Sequence, residues 1–300
     1  MNERMKLMIA YDGTVYADAA IDDLRRAGLA RDAEALIVTV VEPSAVNPPV
    51  SEFDLHSLAT RRAEAALSRA KAHSKRVFEE AEALTAKAAH RLRSQFPEWK
   101  IAHEVLHGKP AGELLEKAAA WKPDLIVAGS QGRSAIGRFF LGSVSKKIAE
   151  EAKCPVRIAR RIFEKASGEP VKILAGARGL PDAEPVIKTI CGRNWPVGTD
   201  VLFIAAEDGR GPGQISAVRS YAAETFERNG GGFNVSIDIK NGDLKDALLA
   251  EAENVRADSI FIAAAVAGGE NGLDETAAGL ITGARCTVEI VRANLSPPQH

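Results

Sequence analysis

The sequence predicts an α/β protein of two tandem domains, each an open parallel five-stranded sheet with helices on both faces. Three observations lead there. The chain has 300 residues, about twice the span of one ordinary domain. Short apolar runs alternate with amphipathic helical stretches, the pattern of parallel strands covered on both faces. That alternation also occurs twice.

The repeat is visible residue by residue. Gly108-Lys109-Pro110 opens the helical run AGELLEKAAAW and then the strand DLIVAGS; Gly242-Asp243-Leu244 opens KDALLAEAENVR and then DSIFIAAA. The interval from glycine to strand aspartate, Asp124 or Asp258, is 16 residues in both. Each copy begins alike, KLMIAYDG from Lys6 and KILAGARG from Lys172, and closes on a strand after a cysteine, Cys154 or Cys286. A repeat of this length marks two homologous domains, residues 1–160 and 171–300 with 161–170 as linker, rather than a solenoid.

In the first half the predicted order is strand 5–11, helix 16–28, strand 34–41, helix 56–96, strand 100–106, helix 110–120, strand 124–129, helix 142–152 and strand 155–160. The helix at 56–96 is unusually long. Val77, Ala81, Leu84, Ala88 and Leu92 recur along it at three- and four-residue steps, a core-facing stripe. The second copy is shorter here, with 70 residues from its first strand to its glycine against 102.

Composition narrows the classes of partner. Hydrophobic residues make up 46% and charged residues 26%, enough for a full core. A net charge of −1 argues against a general nucleic-acid or membrane binder. The halves differ: residues 1–160 hold 25 basic and 21 acidic residues, the remainder 14 and 19. That asymmetry favours an anionic ligand in the first half, or attraction between the halves. No apolar run approaches about 20 residues, so no membrane-spanning helix is expected. The charged amino terminus runs directly into a strand without a signal-peptide pattern. Three scattered cysteines suit reduced thiols in a cytoplasmic protein rather than a disulfide framework or a zinc site.

Chemistry concentrates in GSQGRSAIGRFFLGSVS, Gly129 to Ser145, which leaves the end of a strand and enters a helix. Gly129 and Gly132 remove side chains, so backbone N–H groups can approach a ligand. Gly142-Ser143 stands at the helix start, where free N–H groups and the dipole favour phosphate. Ser143 and Ser145 add hydroxyls, and Arg133, Arg138 and Lys146 are within reach of outer phosphates. Asp12, followed by Gly13-Thr14, ends the first strand. Ligands of open parallel sheets bind beyond strand carboxyl ends where the strand order reverses. If strands one and four flank that point, Asp12 and the glycine loop face one crevice. An aspartate there suits a ribose hydroxyl or, through a metal ion, the phosphates.

The spacing Gly129-x2-Gly132-x9-Gly142-Ser143, with the early aspartate and the duplicated domain, resembles the universal stress protein family in its tandem form. The resemblance covers essentially the whole chain. It implies a Rossmann-like fold of the adenine nucleotide alpha hydrolase type. It implies ATP accompanied by Mg²⁺, with Asp12 near ribose and phosphates or at the metal through the nucleotide. The Val40 backbone would meet adenine. Ala128, Gly129, Gln131 and Gly132 would line ribose and phosphate, and Gly142, Ser143, Val144 and Ser145 would hold phosphates. Gly13, Thr14 and Arg133 complete the candidate set. A homodimer is implied as well.

The second copy departs at each of these points. Arg178 stands in place of Asp12, Ala263 in place of Gly129, and Asp274-Glu275 in place of Gly142-Ser143. Two acidic groups at a helix start repel a phosphate. The second domain is expected to have lost the site and to pair structurally with the first.

Other motifs are weaker. Gly209-Arg210-Gly211-Pro212-Gly213 lacks the third glycine spacing of a dinucleotide loop, and Pro212 removes a donor, so a plain loop is expected. His56, His73 and His90 fall on different faces of the long helix and are expected to be solvated. His103 and His107 are about 13 Å apart along a strand, too far to share a metal. Neither a serine nor a cysteine has a recognisable base, so nucleophilic catalysis is not expected. The leading reading is a nucleotide-binding regulatory protein of stress response. A slow ATPase or phosphotransferase, and a nucleotide-independent dimerisation module, are the alternatives.

Overall fold

The computed structural model describes residues 4–46, 61–132, 141–160, 170–207, 212–229, 232–264 and 273–292. Arg133, Arg138, His56, residues 161–169 of the linker and the Gly209–Gly211 segment lie outside the described residues.

The first half runs β1 (Met5–Ala10), α1 (Val15–Asp23), β2 (Ala33–Val41), α2 (Pro43–Val46), α3 (Arg61–Gln95), β3 (Lys100–His107), α4 (Pro110–Trp121), β4 (Leu125–Gly129), α5 (Ser143–Glu151) and β5 (Val156–Ala159). The second runs β6 (Lys172–Ala177), α6 (Leu180–Cys191), β7 (Thr199–Glu207), α7 (Pro212–Asn229), β8 (Phe233–Asn241), α8 (Leu244–Asn254), β9 (Ser259–Ala264), α9 (Glu275–Gly283) and β10 (Thr287–Arg292). Every strand expected in the first half is present within a residue or two. The helix expected over 16–28 ends at Asp23 and tightens into a 3₁₀ turn over Leu24–Arg26. The short helix α2 was not expected. Its four residues are below the length at which periodicity is readable.

The two five-stranded parallel sheets are joined into one sheet of ten strands, ordered β3-β2-β1-β4-β5-β10-β9-β6-β7-β8. Each half repeats the order 3-2-1-4-5, and the halves meet where β5 and β10 pair antiparallel. One face of this seam is apolar. Ile148 of α5, Leu280 of α9, Val156, Ile158, Val288 and Ile290 belong to a single buried cluster that runs through both halves.

The other face of the seam is ionic. Arg157, fully buried on β5, donates to Asp23 at 2.5 Å and to Glu289 at 2.9 Å. Arg193 pairs with the same Glu289 and donates to the Ala27 carbonyl at 3.0 Å. Thr287 donates to Asp23 at 2.8 Å. Arg157 and Glu289 each stand three residues after their cysteine and lie opposite each other in the β5–β10 register. Equivalent positions therefore carry opposite charges, whereas two copies of the first domain would set Arg157 against Arg157. Nearby, Arg26 forks onto Asp258 with two bonds of 2.9 Å, and the Trp195 ring lies over Gly28 where a Cβ would come within 2.5 Å.

Candidate functional site

β1 and β4 are neighbours, with β2 on one side and β5 on the other, so the strand order reverses between them. Beyond their carboxyl ends opens a crevice of about 770 Å³. Asp12, Val40, Ala128, Gly129, Gln131, Gly132 and Gly142 to Ser145 all line it. Asp12 and Ser145, 133 positions apart in sequence, are thus brought to one crevice.

Asp12 is held by its own loop. Its Oδ1 accepts from the Thr14 N–H at 3.0 Å and from the Thr14 hydroxyl at 2.7 Å. That hydroxyl also caps α1, accepting from the Ala17 N–H at 3.3 Å. Gly13 turns the chain at φ +79°, and a Cβ there would meet Leu84 of α3 at 2.8 Å. Thr14, on the turn that Gly13 makes, shapes the site by fixing Asp12. The other carboxylate oxygen, Oδ2, lies 3.3 Å from where a Cβ on Gly132 would stand. The glycine keeps Asp12 and the loop in contact.

Gly142 is the N-cap of α5, and its own N–H donates to the Ser130 carbonyl at 2.8 Å. The Lys146 N–H closes the first helical bond onto Gly142. The N–H groups of Ser143, Val144 and Ser145 precede that bond and have no acceptor within the helix. They form the positive end of its dipole at the crevice wall.

Four expectations change in detail. Ser145 is buried, and its hydroxyl donates to the Gly129 carbonyl at 2.6 Å, tying α5 to β4 instead of presenting a donor to a ligand. Lys146, expected to reach outer phosphates, pairs along the helix with Glu150 at 3.8 Å. Gly129 serves packing first: a Cβ there would lie 2.7 Å from the Tyr16 backbone, at the start of α1. His73, expected to be simply solvated, donates from Nε2 to the Ala45 carbonyl at 3.0 Å and so ties α3 to α2.

Val40 presents backbone. The Val38 carbonyl accepts from Tyr11 N–H on the β1 side, and the Val41 carbonyl accepts from Gly108 N–H on the β3 side. Pairing with β1 ends at Ala10 opposite Val38. Hydrogen-bonding direction alternates along a strand, so the N–H and C=O of Val40 face the gap where β1 has ended. A donor and an acceptor side by side suit the edge of a purine.

The sequence reading missed part of the wall. Ser44 and Ala45 of α2, and Val77, Glu80 and Leu84 of α3, also line the crevice. Val77 and Leu84 were expected in a core stripe. Ala88 and Leu92 farther along α3 are buried as that stripe requires, while its first part covers the site.

In the second domain the described residues at the same place pair with one another. Arg178 reaches Asp274 at 3.2 Å and Asp182 at 3.5 Å. Asp274 caps α9, accepting from the Ala277 N–H at 2.8 Å. A carboxylate of the chain thus sits at the helix start where α5 keeps a glycine.

The described residues include no helix long and apolar enough to cross a membrane. The family model for the universal stress protein family matches residues 3–160. A universal stress protein of Thermus aquaticus is 33% identical over 157 residues, which is 51% of this chain and 97% of that relative. Another, from Methanocaldococcus jannaschii, is 38% identical over 76 residues, 25% of this chain and 45% of its own. Among solved structures, a universal stress protein from Archaeoglobus fulgidus shares the fold over 96% of this chain and 98% of its own, with a TM-score of 0.67 at 18% identity. A protein of unknown function from Pseudomonas aeruginosa does so over 96% and 92%, with a TM-score of 0.60 at 14% identity.

Proposed function

Because this chain belongs to the universal stress protein family, we propose that its first domain binds one adenine nucleotide, ATP with Mg²⁺, and that its second domain binds none. One observation carries the reading: a single crevice joins the Val40 backbone edge to the N-terminus of α5. The Val40 N–H and C=O match the ring nitrogen and the exocyclic amine of adenine. The N–H groups of Ser143 to Ser145 suit the phosphates. Asp12, held by Thr14, offers a carboxylate to the ribose or to a magnesium ion that takes its other ligands from phosphate and water.

The internal Arg178–Asp274 pair supports the negative half of the proposal. Asp274 occupies the helix start that a phosphate would need, and Arg178 already neutralises it. The role is regulatory: occupancy of the first domain changes what the protein presents to partners in stress response. A homodimer of whole chains would use a surface other than the β5 edge, which β10 occupies.

Calorimetric titration of the full chain with ATP and Mg²⁺ tests this. Saturation near one nucleotide per chain is expected, weakened about tenfold or more by Asp12→Ala, as loss of a charge-assisted contact implies. Gly142→Glu should abolish it by placing a carboxylate at the α5 start. Two nucleotides per chain would overturn the account of the second domain. No binding at millimolar ATP would leave the dimerisation-module reading, and phosphate trapped covalently on Ser143 would favour a phosphotransferase.

A further inference from the structure

Arg292 ends β10, in the second domain, yet its side chain is spent on the first. It is 2% exposed, and Nη2 donates to the Ala149 carbonyl at 2.6 Å while Nε donates to the Cys154 carbonyl at 3.3 Å. Ala149 lies in the last turn of α5, where helical carbonyls lack intrahelical donors. A guanidinium there satisfies one of them and lies at the negative end of the helix dipole.

The seam contains the mirror image of this contact. Arg160, the equivalent residue of the first domain, crosses the other way and donates to Ile281 at 2.5 Å and Thr282 at 3.1 Å, at the end of α9. Arg160 and Arg292 each stand six residues after their cysteine, and Ala149 and Ile281 are likewise equivalent. The grip is built into both halves, and the crevice stands at the other end of α5.

α5 has nine residues, so it spans about 13 Å from crevice to seam. A helix this short does not hold its axis alone. Its start is tied by Ser145 to Gly129 and its end by Arg292. We infer that the second domain is a built-in clamp on the nucleotide site of the first, with Arg292 the positioning residue that sets the axis of α5. This rests on the nucleotide reading for its ligand but not for its mechanics. Since coupling is reciprocal, nucleotide in the first domain tightens the seam.

The test uses the full chain and three variants, Arg292→Met, Arg292→Lys and Arg160→Met. Amide hydrogen exchange without nucleotide comes first. Arg292→Met should speed exchange in α5 and not in α9; Arg160→Met should do the reverse. Arg292→Lys, which keeps the charge and one donor, should restore part of the protection. Unchanged α5 exchange in Arg292→Met and in Arg292→Lys overturns the clamp. So does equal loosening of α5 in Arg160→Met, which would make the effect general seam stability.

ATP titration then reads the coupling. Arg292→Met should weaken binding at least about fivefold, while Arg160→Met, with comparable damage to the seam, binds as the unaltered chain does. Equal affinity in all variants, with α5 loosened, overturns the coupling. Failure of the unaltered chain to bind ATP sinks the nucleotide reading, while the exchange data still decide the clamp.

Discussion

Single residues set the limits of what the sequence discloses. Glycine at 129 was legible as a place where a side chain is excluded. What excludes it was not: the Tyr16 backbone lies 2.7 Å from its missing Cβ, a contact between segments more than 100 residues apart. Gly129→Ala is expected to destabilise the fold by about 1–3 kcal/mol, read by urea unfolding, because backbone rather than a flexible side chain must give way. The cysteines were legible as plain thiols. Burial pushes Cys154 and Cys191 up from 9.0 to about 11, and Cys286 to about 12. The sign follows. These thiols stay protonated in the folded chain above the pH at which the unfolded chain ionises, so their contribution is complete below pH 9 and is lost as pH rises from there toward 11 and 12. Folded protein at pH 8 should resist iodoacetamide at all three cysteines and react fully once unfolded. Rapid labelling of the folded chain would contradict the burial.

At the level of elements, periodicity carried most of the information. Strands β1 to β5 were readable because each is an apolar run between turn signals, and α5 was readable from Gly142-Ser143 at its start. Legibility failed where an element plays two parts. The α3 stripe was correctly read as apolar, but no pattern within a helix tells which stretch meets core and which roofs a crevice. Leu84 touches Gly13, while Leu92 is wholly buried. Thr14 likewise has a double task, capping α1 and holding Asp12. Thr14→Val is expected to cost about 1 kcal/mol in chemical unfolding through the lost cap. It should also weaken ATP binding, whereas a helix cap with no link to the site would change stability alone.

The whole molecule was legible as a duplication and hidden as an assembly. The equal glycine-to-aspartate intervals announced two domains, and Arg178 and Asp274, which stand where the first copy has Asp12 and Gly142, pair with each other in the second. That β5 and β10 would pair, with Arg157 facing Glu289, follows from geometry between strands 130 residues apart, where sequence spacing is silent. Arg157→Met leaves Asp23 and Glu289 buried with one partner fewer, and a loss of about 3–5 kcal/mol in unfolding free energy is expected. The loss should exceed that of Arg4→Met, whose surface pair with Asp32 is exposed.

The antiparallel seam has one more consequence, in the currency of dilution. Two separate subunits meet only as often as their abundance allows, and they fall apart when expression is low. Here both sides of the seam are translated as one chain, so the effective local concentration of each for the other is in the range of millimolar, whatever the cell makes. The opposite charges at 157 and 289 then decide which half each half accepts. A cell carrying few copies of this protein has the same fraction of them correctly paired as a cell carrying many.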